Sequence, residues 1–306
     1  MKKDLVSIAD LTTQEIEEIF ELAGRVKKDK DSFNRVLAGK TLALIFQKPS
    51  CRTRVSFEVG MYQLGGSSIY LGPDEINLGV RESIEDVAKT LSRYIDAIVL
   101  RTFEHKNVLE MAKYASVPVI NGLSDFSHPC QALADLFTIY EKLQSLKGRT
   151  LAYIGDGNNV CNSLLLASAK LGVNMCVATP LGYEPTKEAL AVAVKIAKAQ
   201  GGSIKLSNQP SIAAKDADVL YTDVWASMGQ EKEAAKRKKL FKGFQINKKL
   251  MGLAKKSVLV MHCLPAHRGD EITDDVLESK NSVIFDQAEN RMHVQKAVLI
   301  KLLRNV

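Results

Sequence analysis

Strand-like and helix-like patterns alternate along almost the whole of this 306-residue chain, and that alternation restricts its fold more than any other feature. The β-rich runs are TLALIF (41–46), SSIYL (67–71), AIVLR (97–101), VPVIN (117–121), TLAYIG (150–155), NMCVAT (174–179), SIKL (203–206), VLYTD (219–223), SVLVMH (257–262) and SVIFD (282–286). Between them apolar residues recur at helical spacing. Strands and helices in succession make parallel sheets flanked by helices. A chain of this length exceeds what one core ordinarily serves, so two such lobes are expected. The expected fold class is α/β, with two doubly wound, Rossmann-like parallel-sheet domains and the active site in the cleft between them. The seam is expected at Lys147-Gly148-Arg149, giving domains 1–146 and 147–287. The helical pattern 288–306, with Val294, Ala297, Val298 and Leu302 in register, is expected to pack back on the first. The opening helix is expected from Thr12, whose spacing to Glu15 fits a capping box, with Ile16, Ile19, Phe20, Ala23 and Val26 on one face.

Ligands of open α/β sheets sit beyond the carboxyl ends of the strands. In this chain TLALIF is followed by Lys48, Ser50, Arg52 and Arg54, AIVLR ends in Arg101, and VPVIN leads to His128 and Gln131. In the second half TLAYIG leads to Asp156, Asn158 and Asn159, VLYTD ends in Asp223 before Trp225-Ala226-Ser227-Met228-Gly229, and SVLVMH ends in His262 and Cys263. A helix beginning near Cys51 presents unpaired N–H groups, to which Ser50 and Thr53 add hydroxyls and Arg52 a planar fork. That combination suits a phosphate; the competing reading is a Ser50 cap with solvated arginines. Arg54 lies about 200° around the helix from Arg52, so it is expected to pair with Glu58.

Composition narrows the function classes. The formal charge of +7 fits either a nucleic-acid partner or a small anionic substrate held by focused arginines. The most basic run, 232–242, carries Glu233 four residues before Arg237 and is expected to be a solvated helix face. Five scattered cysteines without a C-x-x-C pair argue against a disulfide framework and a structural zinc site. With no signal-like segment and no long apolar run, a cytoplasmic protein is expected.

Three motifs suggest other chemistry. Gly155-Asp156-Gly157 after a strand is half of a dinucleotide fingerprint, but Val160 stands at the third glycine position. Gly39-Lys40-Thr41 resembles the end of a Walker loop, yet it precedes a strand instead of following one. His262, Cys263 and His267 could ligate a metal, although adjacent residues of an extended strand point apart.

Taken together, Ser50-Cys51-Arg52-Thr53-Arg54, His128-Pro129-Cys130-Gln131, Asp223 to Gly229 and His262-Cys263-Leu264-Pro265 resemble the carbamoyltransferase family, in particular its ornithine-using members. The resemblance implies that Ser50, Cys51 through its backbone, Arg52, Thr53 and Arg291 hold the phosphate of carbamoyl phosphate. It implies that Arg101, His128 and Thr53 face the carbonyl oxygen, and that Gln131 with the main chain of Cys263 and Leu264 takes the carbamoyl nitrogen. It assigns Asn159, Asp223, Ser227 and Met228 to ornithine, with Asp223 and Cys263 assisting proton transfer. It further implies no cofactor and no metal, a homotrimer or a multiple of trimers, and neither nucleic-acid nor membrane partners. Cys51 replaces the family's usual Thr, which removes a hydroxyl from the phosphate turn, and the 74–83 segment is the one expected to reach a neighbouring subunit. Aspartate carbamoyltransferases share the first lobe but have Pro after the His of HCLP and lack the Ser-Met-Gly loop. Acetylornithine and putrescine carbamoyltransferases differ in the second lobe, and the direction of the reaction stays open.

Overall fold

In the computed structural model, which describes residues 3–227 and 229–304, β1 (Thr41–Phe46) lies between β2 (Ser67–Leu71) and β3 (Ala97–Arg101). β4 (Val119–Leu123) pairs with the other side of β3, giving a four-stranded sheet ordered β2-β1-β3-β4 in which every pairing is parallel. The second sheet combines β5 (Thr150–Ile154), β6 (Asn174–Ala178), β7 (Ile204–Ser207), β8 (Val219–Thr222) and β9 (Leu259–His262). Its order is β7-β6-β5-β8-β9, again wholly parallel. The chain forms two compact units, Met1–Ala134 with Glu289–Val306, and Asp135–Ala288. Their boundaries fall inside the helices Pro129–Leu143 and Ile284–Leu303.

Central strands read as continuous apolar runs because helices cover both of their faces. Leu42, Leu44, Ile45 and Phe46 of β1 and Ile98, Val99 and Leu100 of β3 are fully buried. Each contributes about 1.5–3 kcal/mol by leaving water. In the second sheet Tyr153 and Tyr221 stack across β5 and β8, with ring centroids 5.6 Å apart.

Local signals formed the elements they predicted. Thr12 Oγ1 accepts the Glu15 N–H at 3.1 Å and Glu15 Oε2 accepts the Thr12 N–H at 2.7 Å, closing the capping box of the Thr13–Lys28 helix. Ile16, Ile19, Phe20, Ala23 and Val26 are its buried face. One predicted strand is absent: within SVIFD only Ser282 forms an isolated bridge, to Val260, and helix begins at Ile284. A short β-branched run can open a buried helix as readily as a strand, and here α-helical pairing takes over after one rung.

In each sheet the strand order reverses beside the first strand of its unit, between β1 and β3 and between β5 and β8. Such switch points leave a crevice beyond the strand ends, where ligands of open α/β sheets bind. Ser50–Thr53 follow β1 and Arg101 ends β3, while Asp156–Asn159 and Asp223 follow β5 and β8.

Candidate functional site

Ser50 is extended, with φ −162° and ψ 112°, and its hydroxyl accepts the Thr53 N–H at 3.2 Å, which starts the Cys51–Gln63 helix. The cap therefore forms, and the helix N-terminus it orders carries the partial positive charge of unpaired N–H groups. Thr53 is fully buried, and its Oγ1 lies 2.8 Å from Arg291 Nη2, 3.5 Å from Arg101 Nη1 and 3.1 Å from Ser50 Oγ. Arg291 also donates to Gln131 Oε1 at 2.9 Å, and Arg101 Nε donates to the Lys48 carbonyl at 3.1 Å. Arg101 owes its aim to a bulge: β3 and β4 pair Leu100 with Asn121 but Arg101 with Leu123, leaving Gly122 as the extra residue. A Cβ at Gly122 would sit 3.0 Å from Val99 Cγ1.

Burial, followed by the positive charges of Arg291, Arg101 and Arg52, holds the His128 imidazole well below its ordinary value, so the ring is neutral at physiological pH. Neutral imidazole can donate one hydrogen bond without adding a charge to three guanidinium groups. Arg52 Nε is buried and has no hydrogen-bond partner among the described residues. Cys51 is exposed at the first helical position, whereas burial pushes the Cys130 thiol up to about 12. Arg54 turns away from this cluster, pairing with Glu58 at 3.0 Å and stacking 3.8 Å over the Tyr70 ring.

In the second unit β8 and β9 pair Thr222 with His262, which brings the next residues, Asp223 and Cys263, side by side. The Cys263 thiol donates to Asp223 Oδ1 at 2.9 Å, and Asn158 Nδ2 donates to Asp223 Oδ2 at 2.7 Å. Asn158 also caps the Asn159–Lys170 helix through the N–H groups of Val160 and Cys161. Asn158 thus meets Asp223 directly, and Asn159, the residue expected to meet ornithine, stands at the first helical position. Ser227 lies four residues past Asp223 with its N–H on Gln230 Oε1 at 3.0 Å, and Met228 lies outside the described residues.

The basic run needs a correction. Its lysines are exposed, but Arg237 is buried, 3.0 Å from Asp156, 3.0 Å from Glu233 and 2.9 Å from the Trp225 carbonyl. It ties the loop after β8 to the turn after β5. Glu233 at i−4 signalled a helix-surface pair, and nothing local signalled that Asp156 would complete it. Burial pushes the Asp156 carboxyl up to about 6 against the pull of Arg237.

Rival chemistries meet specific obstacles. The Gly157 N–H donates to the Tyr183 carbonyl at 2.9 Å, and a Cβ there would lie 2.2 Å from Pro185 N. That glycine serves close packing of a neighbouring loop, which occupies the space a pyrophosphate would need. Lys40 pairs with Asp96 at 2.8 Å, away from any phosphate loop. Asp223, His262 and Cys263 bring ligand-type atoms within 4.8 Å of one another. Both ring nitrogens of His262 are engaged, however, Nδ1 by the Leu264 N–H at 2.8 Å and Nε2 by Glu271 at 3.0 Å. His267 is instead on the surface, its N–H on Glu271 Oε1 at 2.6 Å. Among the described residues no helix is long and apolar enough to cross a membrane.

Comparisons agree along the whole chain. A family model described as aspartate/ornithine carbamoyltransferase, carbamoyl-P binding domain, matches residues 3–141, and its Asp/Orn binding domain counterpart matches residues 147–302. An ornithine carbamoyltransferase of Pyrococcus horikoshii is 57% identical over 306 residues, covering 99% of this chain and 96% of that protein. One of Pyrococcus furiosus named anabolic is 55% identical, covering 99% and 97%. The solved structure of a Pyrococcus furiosus ornithine carbamoyltransferase matches with a TM-score of 0.96 at 55% identity, covering 99% of this chain and 97% of that one.

Proposed function

The chain belongs to the aspartate/ornithine carbamoyltransferase family, and from that premise we propose how its side chains divide the chemistry. The protein is an enzyme that transfers the carbamoyl group of carbamoyl phosphate to the side-chain amine of L-ornithine, giving L-citrulline and phosphate. In the first unit, Ser50, the Cys51 N–H, Arg52, Thr53 and Arg291 bind the phosphate. Arg101, neutral His128 and the Thr53 hydroxyl face the carbonyl oxygen, and Gln131 orients the carbamoyl nitrogen. In the second unit Asp223, Asn159, Ser227 and Met228 hold the amino-acid end of ornithine, with Asn158 fixing the Asp223 carboxylate.

Attack requires a neutral amine, although a lysine-like amine has a pKa of about 10 in water. Desolvation and neighbouring guanidinium groups favour the uncharged form. The amine lone pair forms the new N–C bond while charge develops on the carbonyl oxygen, where Arg101 and His128 stabilise it as an oxyanion hole does. The C–O bond to phosphate then breaks with its electron pair on the leaving phosphate, which takes the proton lost by the amine. Asp223 and the thiol hydrogen-bonded to it are the groups proposed to assist that transfer.

The observation carrying this reading is the convergence of Arg101 and Arg291 on buried Thr53, with a His128 that burial, and then these cations and Arg52, keep neutral. Such a cluster suits a dianion whose carbonyl must be polarised without acid. Phosphate release and formation of the carbamoylated amine, measured with ornithine, aspartate, acetylornithine and putrescine in parallel, test it; preference for any amine other than ornithine overturns the assignment. The Pyrococcus furiosus relative's name favours the biosynthetic direction. A homotrimeric, cytoplasmic enzyme completes the proposal. Val55, Val59 and Tyr62, exposed in a row on the Cys51–Gln63 helix, support a surface covered by another copy. Light scattering giving a monomer mass would end that part.

A further inference from the structure

A Glu–His pair with no assigned role lies behind the loop that carries Cys263. Glu271 and His262 are both fully buried, with Glu271 Oε1 3.0 Å from His262 Nε2. His262 Nδ1 accepts the Leu264 N–H at 2.8 Å, so the ring proton sits on Nε2 and is donated to Glu271. The same Glu271 oxygen accepts the His267 N–H at 2.6 Å, and the Glu271 carbonyl accepts the Ile246 N–H at 2.9 Å. The main chain of His262 is held independently, its N–H donating to Gln287 Oε1 at 3.0 Å. One carboxyl group thus spans the turn from His262 to His267.

Leu264, inside that turn, has φ 58°, a left-handed conformation that is uncommon for a side chain of its size. A residue held there is strained, and the conformation persists only where the surroundings impose it. The imposing contact is the Leu264 N–H on His262. An apolar pair in the same volume would serve stability at least as well as a buried polar one, so stability alone does not account for Glu271. The loop so constrained is the one that sets the Cys263 thiol on Asp223 at 2.9 Å.

We propose that Glu271 is a positioning residue for the ornithine half-site: it locks the His262 tautomer, His262 fixes the main chain at Leu264, and this holds Cys263 in register with Asp223. The inference rests on the reading of Asp223 as part of that half-site. A displacement of the Cys263 loop weakens use of ornithine and leaves the phosphate cluster of the first unit unaltered.

Glu271→Asp, which keeps the acid but shortens its reach by one methylene, and Glu271→Gln, which keeps an acceptor oxygen in place, form the test pair. For Glu271→Asp, kcat/KM for ornithine falls about 10–100-fold, because misplacement by an ångström has costs of that size, while KM for carbamoyl phosphate, which meets this loop only at the carbamoyl nitrogen, rises by no more than about fivefold. Glu271→Gln recovers ornithine use to within about threefold of the original enzyme. Imidazole nitrogen NMR shows a single Nε2–H tautomer of His262 in the original enzyme and a mixture in Glu271→Asp. Alkylation by iodoacetamide, mapped to the Cys263 peptide, accelerates in Glu271→Asp only.

A folded Glu271→Asp enzyme with unchanged ornithine kinetics and unchanged Cys263 labelling overturns the proposal. So does a loss falling equally on both substrates. If Glu271→Asp does not fold, Glu271→Gln decides through the tautomer: a mixed tautomer with normal ornithine kinetics overturns the proposal, and the single Nε2–H tautomer with recovered kinetics supports it. Should the original enzyme form no citrulline, the reading of the half-site fails, whereas the tautomer and labelling results still show whether Glu271 holds the loop.

Discussion

At the switch point of the first sheet, Arg101 and Arg291 converge on Thr53, and burial, with the charges of these two and of Arg52, keeps His128 neutral. At the switch point of the second, Asp156 and Asp223 are buried, one met by Arg237 and the other by Asn158 and the Cys263 thiol. The same topological position has been filled with opposite charge. The difference matches the proposed ligands: a phosphate dianion needs cations arranged before it arrives, whereas an amino acid with an α-ammonium group needs a carboxylate kept in a fixed direction. The fold provides the crevice in both units, and the chemistry resides in the side chains grafted there.

The largest expected effect comes from Arg52→Ala in the cationic cluster. It lowers kcat/KM roughly 10²–10³-fold, as removal of one oxyanion-stabilising donor does, with the far-UV spectrum and melting temperature preserved. Near-normal rates would break the contrast at its cationic end. Asp223→Asn addresses the acidic end, replacing a charge-assisted contact with a neutral one. Use of ornithine falls roughly 10–100-fold while KM for carbamoyl phosphate changes little, and steady-state kinetics on both substrates separate the two.

Asp156 sharpens the comparison through pH. Burial raises its folded-state value from 3.8 to about 6, so between those values the folded protein holds a proton that the unfolded chain has released. The Asp156 contribution to stability is therefore greatest below about pH 4, declines as pH rises to about 6, and is constant above. Denaturant unfolding of the original protein and of Asp156→Asn, compared at pH 4 and pH 7, differs by an amount that shrinks on the order of 2 kcal/mol across this range. A difference independent of pH would remove the claim. The smallest effect belongs to Cys51→Thr: an added hydroxyl at the proposed phosphate turn lowers KM for carbamoyl phosphate no more than about threefold, because the backbone N–H proposed as the contact is left in place.

Features encoded by a few adjacent residues were legible. The Thr12–Glu15 box, the Ser50 cap and the Arg54–Glu58 pair are read from spacings of three or four residues, and each forms. Strand ends read from apolar runs located Arg101, His128, Asp223 and Cys263 near the sheet edges. SVIFD misled because its residues suit a strand and a buried helix equally, and the preference was decided by the single rung that Val260 could offer. Arg237 misled for a different reason. Its own helix marks it as surface, and Asp156, some eighty residues earlier, brings it inside.

The amino-acid order alone determined that this chain makes two parallel sheets, where their elements begin, and which polar residues stand at the strand ends, because hydrophobic period and capping are properties of neighbours along the chain. Tertiary structure decided which of those residues touch: Asn158 on Asp223, Arg291 on Thr53 from 238 positions away, and Glu271 on His262. Burial and charge partnership depend on segments that meet only after folding, so no local pattern could have assigned them.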